Sequence, residues 1–149
     1  MRLIFNVVLC IFLVSSVVLL NGCGGSDDSD AGSLNETING SLTDTDLKLV
    51  SSSPYDFFQF TATKNGNITV TMSAPGVAAI SYPYLYVLQG HLEGFNMDEL
   101  IGTSDTRDEA TNTAEFTFAA TEGQEFTVLC NSDEGYTAYG DYILKVIEN

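Results

Sequence analysis

Apolar residues recur at every second position in much of the chain from Leu34 onward. In residues 55–62, for example, Phe58, Phe60 and Ala62 share one side, while Gln and Thr occupy the other. Because successive side chains of a strand point to opposite faces of a sheet, this period predicts half-buried strands. No stretch with the 3.6-residue period of an amphipathic helix is evident in this region. The part of the chain after Leu34 is therefore predicted to be all-β.

Six or seven short strands follow from the same pattern. They cover residues 38–42, 55–62, 68–72, 84–88, 114–119, 124–130 and 142–147. The side chains predicted to face inward include Ile68, Val70, Met72, Leu85, Val87, Phe116, Phe118, Phe126, Val128, Cys130, Tyr142, Leu144 and Val146. Residues 64–67 read Lys-Asn-Gly-Asn, which predicts a hairpin turn, because Asn-Gly tolerates positive φ. Short alternating strands of this kind predict an antiparallel two-layer β-sandwich in a single domain.

The N-terminus has a different composition. Arg2 precedes an apolar run over residues 3–20, which is typical of an export signal. The tetrad Leu20-Asn21-Gly22-Cys23 resembles the bacterial lipobox, whose cysteine becomes the lipidated first residue of the mature protein. A transmembrane anchor is usually followed by basic residues, and none occurs here before Lys48. An uncleaved anchor and ordinary secretory cleavage are the alternatives.

These features predict three parts. Residues 1–22 form a lipoprotein signal peptide, residues 23–33 form the lipidated Cys23 with a flexible Gly/Ser/Asp tether, and residues 34–149 form the β-sandwich. The lipid on Cys23 would hold the protein on a membrane, since two or more acyl chains anchor stably. Gly24 stands where an inner-membrane retention signal would place Asp, so the outer membrane is favoured in cells that have one.

Acidic residues far outnumber basic ones. The chain has 20 Asp and Glu against 5 Lys and Arg, a formal net charge of −15, which excludes nucleic acid as a partner. This charge serves either solubility or cation binding. Asp105, Asp108 and Glu109 lie within five residues and are candidate calcium ligands, because calcium prefers carboxylate and carbonyl oxygens. The alternative is a solvated loop partly neutralised by Arg107; no cofactor is required.

No catalytic group is predicted. Cys10 leaves with the signal peptide and Cys23 carries lipid, so Cys130 has no disulfide partner and is predicted to be a small core residue. His91, the only histidine, lies in a turn without a recognisable motif. A nucleophile–base pair is therefore not expected, and the protein is predicted not to be an enzyme.

Tyrosines form a second group of candidates. Tyr84 and Tyr86 are predicted to cover the second face of their strand. Tyr136 and Tyr139 fall in a turn rich in Gly and Asp, where exposed rings are candidate contacts for a sugar, polymer or protein partner.

The order of these motifs resembles the bacterial pre-peptidase C-terminal domain family, which is related to collagenase collagen-binding domains. The segments that carry the resemblance are residues 40–42, 55–62, 83–88, 116–118 and 140–146, with an acidic loop holding Asp105 and Asp108. The resemblance implies a jelly-roll-like β-sandwich without catalytic activity, in a family with members that bind calcium or insoluble polymers. Two positions depart from it: Tyr82 replaces the usual Asp, and Asp105 is not adjacent to Asp108.

The combined expectation is a lipid-anchored binding or accessory module of the cell envelope. It would present a β-sandwich to a protein or polysaccharide partner, with calcium as a candidate ligand. The alternative is a structural envelope protein that assembles with other proteins through exposed sheet edges.

Overall fold

The structure, a computed structural model, describes residues 30–31, 34–49, 53–76, 79–105, 112–132 and 139–149. Its elements are β1 (Asp30–Ala31), β2 (Thr37–Leu42), β3 (Leu47–Lys48), β4 (Pro54–Thr61), β5 (Gly66–Ser73), β6 (Pro83–Gln89), a 3₁₀ turn (Met97–Glu99), β7 (Leu100–Asp105), β8 (Thr113–Ala120), β9 (Glu125–Ser132) and β10 (Gly140–Glu148). Residues 97–101 contain the 3₁₀ turn and the start of β7. No helix in the described ranges is long and apolar enough to cross a membrane.

Two sheets form the predicted sandwich. The first has the order β1-β4-β9-β6-β7, with β3 also beside β4, and the second has the order β2-β10-β5-β8. Early strands pair in antiparallel fashion with late ones, in the nested order β2·β10, β4·β9, β5·β8 and β6·β7. Together these pairs form one long two-stranded ribbon. The pairs β10·β5 and β9·β6 close the rolled ribbon into two sheets. This is a jelly roll, so the predicted fold class is confirmed.

The core lies between the sheets. The side chains predicted to face inward are buried there, with Ile68, Val70 and Leu144 fully inaccessible, and only Phe116 is partly exposed. Phe60 stacks on Phe126 with ring centroids 5.5 Å apart. The period-two pattern thus identified the apolar face of each strand.

The hairpin predicted between residues 55–62 and 68–72 is wrong. β4 and β5 belong to different sheets, so residues 62–65 cross from one layer to the other. Each of these strands has an apolar face. Both apolar faces are buried because the two strands face each other across the core. Gly66 does not have positive φ; a Cβ there would lie 2.6 Å from the carbonyl oxygen of Asn149, so glycine permits a close backbone approach.

The first sheet is also covered on its outer face. Tyr55, Leu88 and Leu129 are buried there in a second apolar cluster, against which Leu92 and Phe95 of the β6–β7 connection pack. β9 lies in the middle of this sheet and is buried on both faces. The sequence predicted Tyr86 on this face but not the covering segment.

Most sheet edges in the described part of the chain are protected. The outer edge of β4 is covered by β3 at Pro54 and Tyr55 and by β1 at Phe58 and Gln59. β1 lies within the predicted tether, so two of the tether residues are paired with the sheet. Between the edge strands β7 and β8, the Glu115 N–H donates to Ser104 Oγ at 3.1 Å. Covered edges resist pairing with other chains.

We expect Gly40→Ala to destabilise the fold by about 1–3 kcal/mol, because a Cβ there would overlap the ring of buried Tyr142. Gly94→Ala is the matched control, since its Cβ would come no closer than 3.6 Å to the Tyr55 hydroxyl. Urea denaturation measures both. Equal free energies of unfolding for the two variants would show that the Gly40–Tyr142 packing is unimportant.

Candidate functional site: the loop end of the sandwich

One end of the sandwich collects the segments that the sequence marked as functional. Tyr84 at the start of β6 is paired with Asp105 at the end of β7 and with Asn131 near the end of β9. In the other sheet, Gly140 at the start of β10 is paired with Leu42 at the end of β2. The described residues that adjoin these strand ends, 43–49, 53, 74–76, 79–82, 112 and 139, therefore lie at the same end, which we call the loop end.

The predicted site residues are distributed as follows. Asp105 is the last residue of β7, not part of a loop, and Tyr139 lies just before β10 with 45% of its surface exposed. The topology brings both to the loop end. Cys23, Asp108, Glu109 and Tyr136 are outside the described residues. Within the described ranges, no group of three or more His, Cys, Asp or Glu side chains is placed to hold a metal ion.

Two residues other than glycine at the loop end have left-handed backbone conformations. Tyr82 has φ 54° and Asn112 has φ 46°. Asn112 is held by its side-chain amide, which donates to the carbonyl oxygens of Ala74 at 2.8 Å and Ile80 at 3.3 Å. This conformation is uncommon for a tyrosine, and Tyr82 occupies the position where the resemblance expects Asp. Such outliers often occur in functional loops.

A polar pair, buried Tyr142 and partly buried Asp56, links the two sheets beneath the loop end. The Tyr142 hydroxyl of β10 donates to Asp56 Oδ2 of β4 at 2.5 Å, and Asp56 is paired with Cys130 of β9. Sequence reasoning missed Asp56. Its register was the available signal, because it alternates with Phe58 and Phe60 and must face inward.

Burial is the main influence on the protonation of the Asp56 carboxyl. Burial raises the pKa of Asp56 to about 6, the Tyr142 hydrogen bond lowers this pKa by a smaller amount, and nearby Asp46 raises it further. Burial likewise raises the pKa of the Cys130 thiol, with Asp56 adding to the effect. Cys130 is therefore a protonated core thiol, which makes it a poor nucleophile.

His91 lies near the opposite end of the sandwich. Its Nε2 is 3.2 Å from the carbonyl oxygen of Phe60, and its Nδ1 is 3.8 Å from Glu125 Oε1. Phe60 lies four residues along β4 from Asp56, the residue paired with Cys130, which is about 13 Å. The imidazole of His91 is therefore remote from the Cys130 thiol. These contacts make the histidine part of the connection after β6.

No protein-family model matches the chain, and no curated protein matches it in sequence. Solved structures do match. The pre-peptidase C-terminal domain of a collagenase from Bacillus anthracis has 20% identity and a TM-score of 0.52, over 83% of this chain and 99% of that one. CorA, a surface-associated copper-binding protein of Methylomicrobium album BG8, has 9% identity and a TM-score of 0.56, over 81% and 97%. At these identities the likeness concerns the fold alone, which is similar to that of a pre-peptidase C-terminal domain.

The raised pKa of Asp56 predicts a pH-dependent stability. Its stabilising contribution is complete below about pH 3.8 and is lost as pH rises through about 6, a difference of up to ~3 kcal/mol. Asp56→Asn stays neutral and keeps an oxygen for the Tyr142 hydroxyl. We expect the variant to be more stable than the wild type at pH 7.5 and equal to it at pH 3.5, as measured by urea denaturation.

Glu148→Gln is a control of opposite sign. Hydrogen bonds from Thr63 and Lys64, led by the Thr63 hydroxyl, lower the pKa of Glu148, so its contribution is present above about pH 4.5 and lost at lower pH. This variant should be less stable than the wild type at pH 7.5. Stability curves for Asp56→Asn and the wild type that stay parallel across this pH range would contradict the assignment.

Proposed function

We propose that the chain is a non-catalytic, lipid-anchored binding module of the bacterial cell envelope that presents the loop end of its jelly roll to a protein or polysaccharide partner. The observation that carries the proposal is the placement of four described residues at one end of the sandwich. Asp105 and Asn112, which flank residues 106–111, lie at the same end as Ser132 and Tyr139, which flank residues 133–138. Binding residues typically lie on loops that a rigid scaffold positions.

The structural neighbours support this reading at the level of the fold. One is a domain of a collagenase, and the other is surface-associated and binds copper. The second neighbour is consistent with a sandwich that binds a ligand at the cell surface. An envelope location, on the outer membrane where there is one, is the corresponding proposal for this chain.

Cys23 supplies the proposed anchor. β1 runs parallel to β4, with Asp30 beside Phe58. Seven steps separate Cys23 from Asp30, so the linker spans at most about 25 Å when fully extended. A lipid on Cys23 would therefore hold the sandwich close to the membrane surface.

Calcium is the proposed ligand of the acidic segment after β7, with Asp105, Asp108 and Glu109 as the ligand set. An extracellular site of this kind has a Kd on the order of 10⁻⁴–10⁻³ M. The net charge of −15 favours any cation at this surface.

Assembly through sheet edges is the alternative function. The outer edge of β4 carries β1 and β3, and β7 is tied to β8, so among the described strands β2 offers the open edge. This protection of edges favours the binding module over the structural alternative.

Replacement of Cys23 tests the anchor. We expect Cys23→Ala to move the protein from the membrane fraction to the soluble fraction, because the thiolate that takes the lipid is lost. Cys10→Ala, in the signal peptide, is the control and should leave the protein in the membrane fraction. Membrane retention of a Cys23→Ala protein that mass spectrometry shows to have lost residues 1–22 would rule out the lipid anchor.

Calorimetry with calcium tests the loop end. Millimolar Ca²⁺ should bind the wild-type protein and raise its melting temperature, while Asp108→Asn should weaken binding because a ligand charge is removed. Glu122→Gln, at the opposite end of the sandwich, should bind as the wild type does. Absence of heat and of a thermal shift in the wild type would remove calcium from the proposal.

A further inference from the structure

Aromatic rings continue from the second apolar cluster toward the loop end. Phe95 and Tyr86 lie edge to face with centroids 4.9 Å apart, and Tyr84 leans on Tyr86 at 4.7 Å. Phe95 and Tyr86 pack against the cluster, but Tyr84 belongs to neither apolar cluster. The Tyr84 ring is half-buried on the outer face of the first sheet. Part of an aromatic ring is thus offered to solvent without serving the core.

A buried amide stands beside this ring. Asn131 is paired with Tyr84 on one side and with Tyr55 on the other, so its side chain lies on the same outer face between theirs. Asn131 is 4% exposed, and its Nδ2 donates to the Pro54 carbonyl oxygen at 3.0 Å. In the described part of the chain its Oδ1 receives no hydrogen bond. A buried acceptor without a donor is costly, and a ligand donor would remove the cost.

An aromatic face next to an orienting acceptor matches the chemistry of a sugar ring. The C–H-bearing face of a pyranose is apolar and stacks on aromatic rings, while its hydroxyl groups donate to carbonyl oxygens. Binding sites commonly combine such an apolar surface with a few placed polar groups. The exposed Thr103, which is paired with Tyr86, adds a hydroxyl at the rim of the same face.

The negative charge of the chain disfavours anionic polysaccharides as ligands. The chain has a net charge of −15, and Tyr84 is paired with Asp105. Uronic-acid or phosphate-bearing polymers would be repelled by this surface, whereas uncharged polysaccharides would not.

We propose that Tyr84 and Asn131 form a subsite for a sugar ring of an uncharged polysaccharide, with the Tyr84 ring as the stacking surface and Asn131 Oδ1 as the hydroxyl acceptor. This inference rests on the proposed binding function and gives the partner a chemical class. The subsite borders the loop end at Asp105 but does not depend on calcium. The row of Tyr86 and Phe95 holds the Tyr84 ring in place from the side of the second cluster.

Titration calorimetry of the full-length protein with cellohexaose and chitohexaose tests the subsite, with hexagalacturonate as the anionic comparison. The wild type should bind at least one neutral hexasaccharide and not the anionic one. Tyr84→Ala should bind about fivefold to tenfold more weakly, and Tyr84→Phe should bind as the wild type does, because the ring is retained. Ile147→Ala, an exposed apolar residue on the second sheet, is the matched control and should have no effect.

Asn131→Leu tests the acceptor separately, because it keeps the side-chain volume and removes the oxygen. Circular dichroism must show a folded variant; if it does not, Asn131→Asp, which retains an acceptor oxygen, should bind a neutral hexasaccharide more tightly than Tyr84→Ala does. No binding of either neutral hexasaccharide at millimolar concentration would overturn the inference, as would equal affinities of Tyr84→Ala and the wild type. An unchanged calcium response in Tyr84→Ala would then show that the loop-end function stands although the glycan subsite has failed.

Discussion

The ring of Tyr142 connects the two sheets, and the loop end is built around it. It lies edge-on to Phe58 with centroids 6.5 Å apart, and its hydroxyl donates to Asp56 of the opposite sheet. The same ring leaves no room for a side chain at position 40 of the neighbouring strand. Tyr142, Gly40 and Asp56 thus specify how β2, β4 and β10 meet. An aromatic residue whose polar tip needs a partner when buried can fix such a geometry in a way that a purely apolar residue cannot.

The two sheets divide the surface of the molecule unequally. The first sheet has apolar clusters on both faces, and seven of the eight residues of β9 are buried. The second sheet exposes polar side chains on its outer face, where Thr69 and Thr117 are 3.0 Å apart. On the outer face of the first sheet, the segment after β6 covers the second apolar cluster but leaves the Tyr84 ring half-buried.

The sequence predicts the faces of strands better than their neighbours. A period of two residues states which side chains share a face, so the inward set of β5 and β10 is correct without knowledge of the topology. The period does not state which strand lies alongside another, and the predicted pairing of β4 with β5 is therefore wrong. These two strands instead bury their apolar faces against each other across the core. Their arrangement depends on the packing of the whole chain rather than on the Asn-Gly turn.

The missed site residues share one cause. Asp56 and Asn131 are polar residues inside apolar surroundings, and hydropathy patterns assign such residues to the solvent side. The register of Asp56 with Phe58 was sufficient to place it inward. For Asn131 no such signal exists, because burial of its face depends on residues far away in sequence, such as Tyr55 and the segment holding Phe95.

Left-handed residues other than glycine occur at both ends of the sandwich. Tyr82 and Asn112 lie at the loop end, and Asn35 lies before β2 at the opposite end, where its Oδ1 accepts from the Glu148 N–H at 3.2 Å. At that opposite end the β8–β9 turn has glycine at its positive-φ position, Gly123, and Gln124 Oε1 accepts from the Thr121 N–H at 2.7 Å. Backbone conformation therefore does not distinguish the two ends. What distinguishes the loop end is the Asp56 carboxyl beneath it, because removing a charge from water costs stability that a neutral side chain would not.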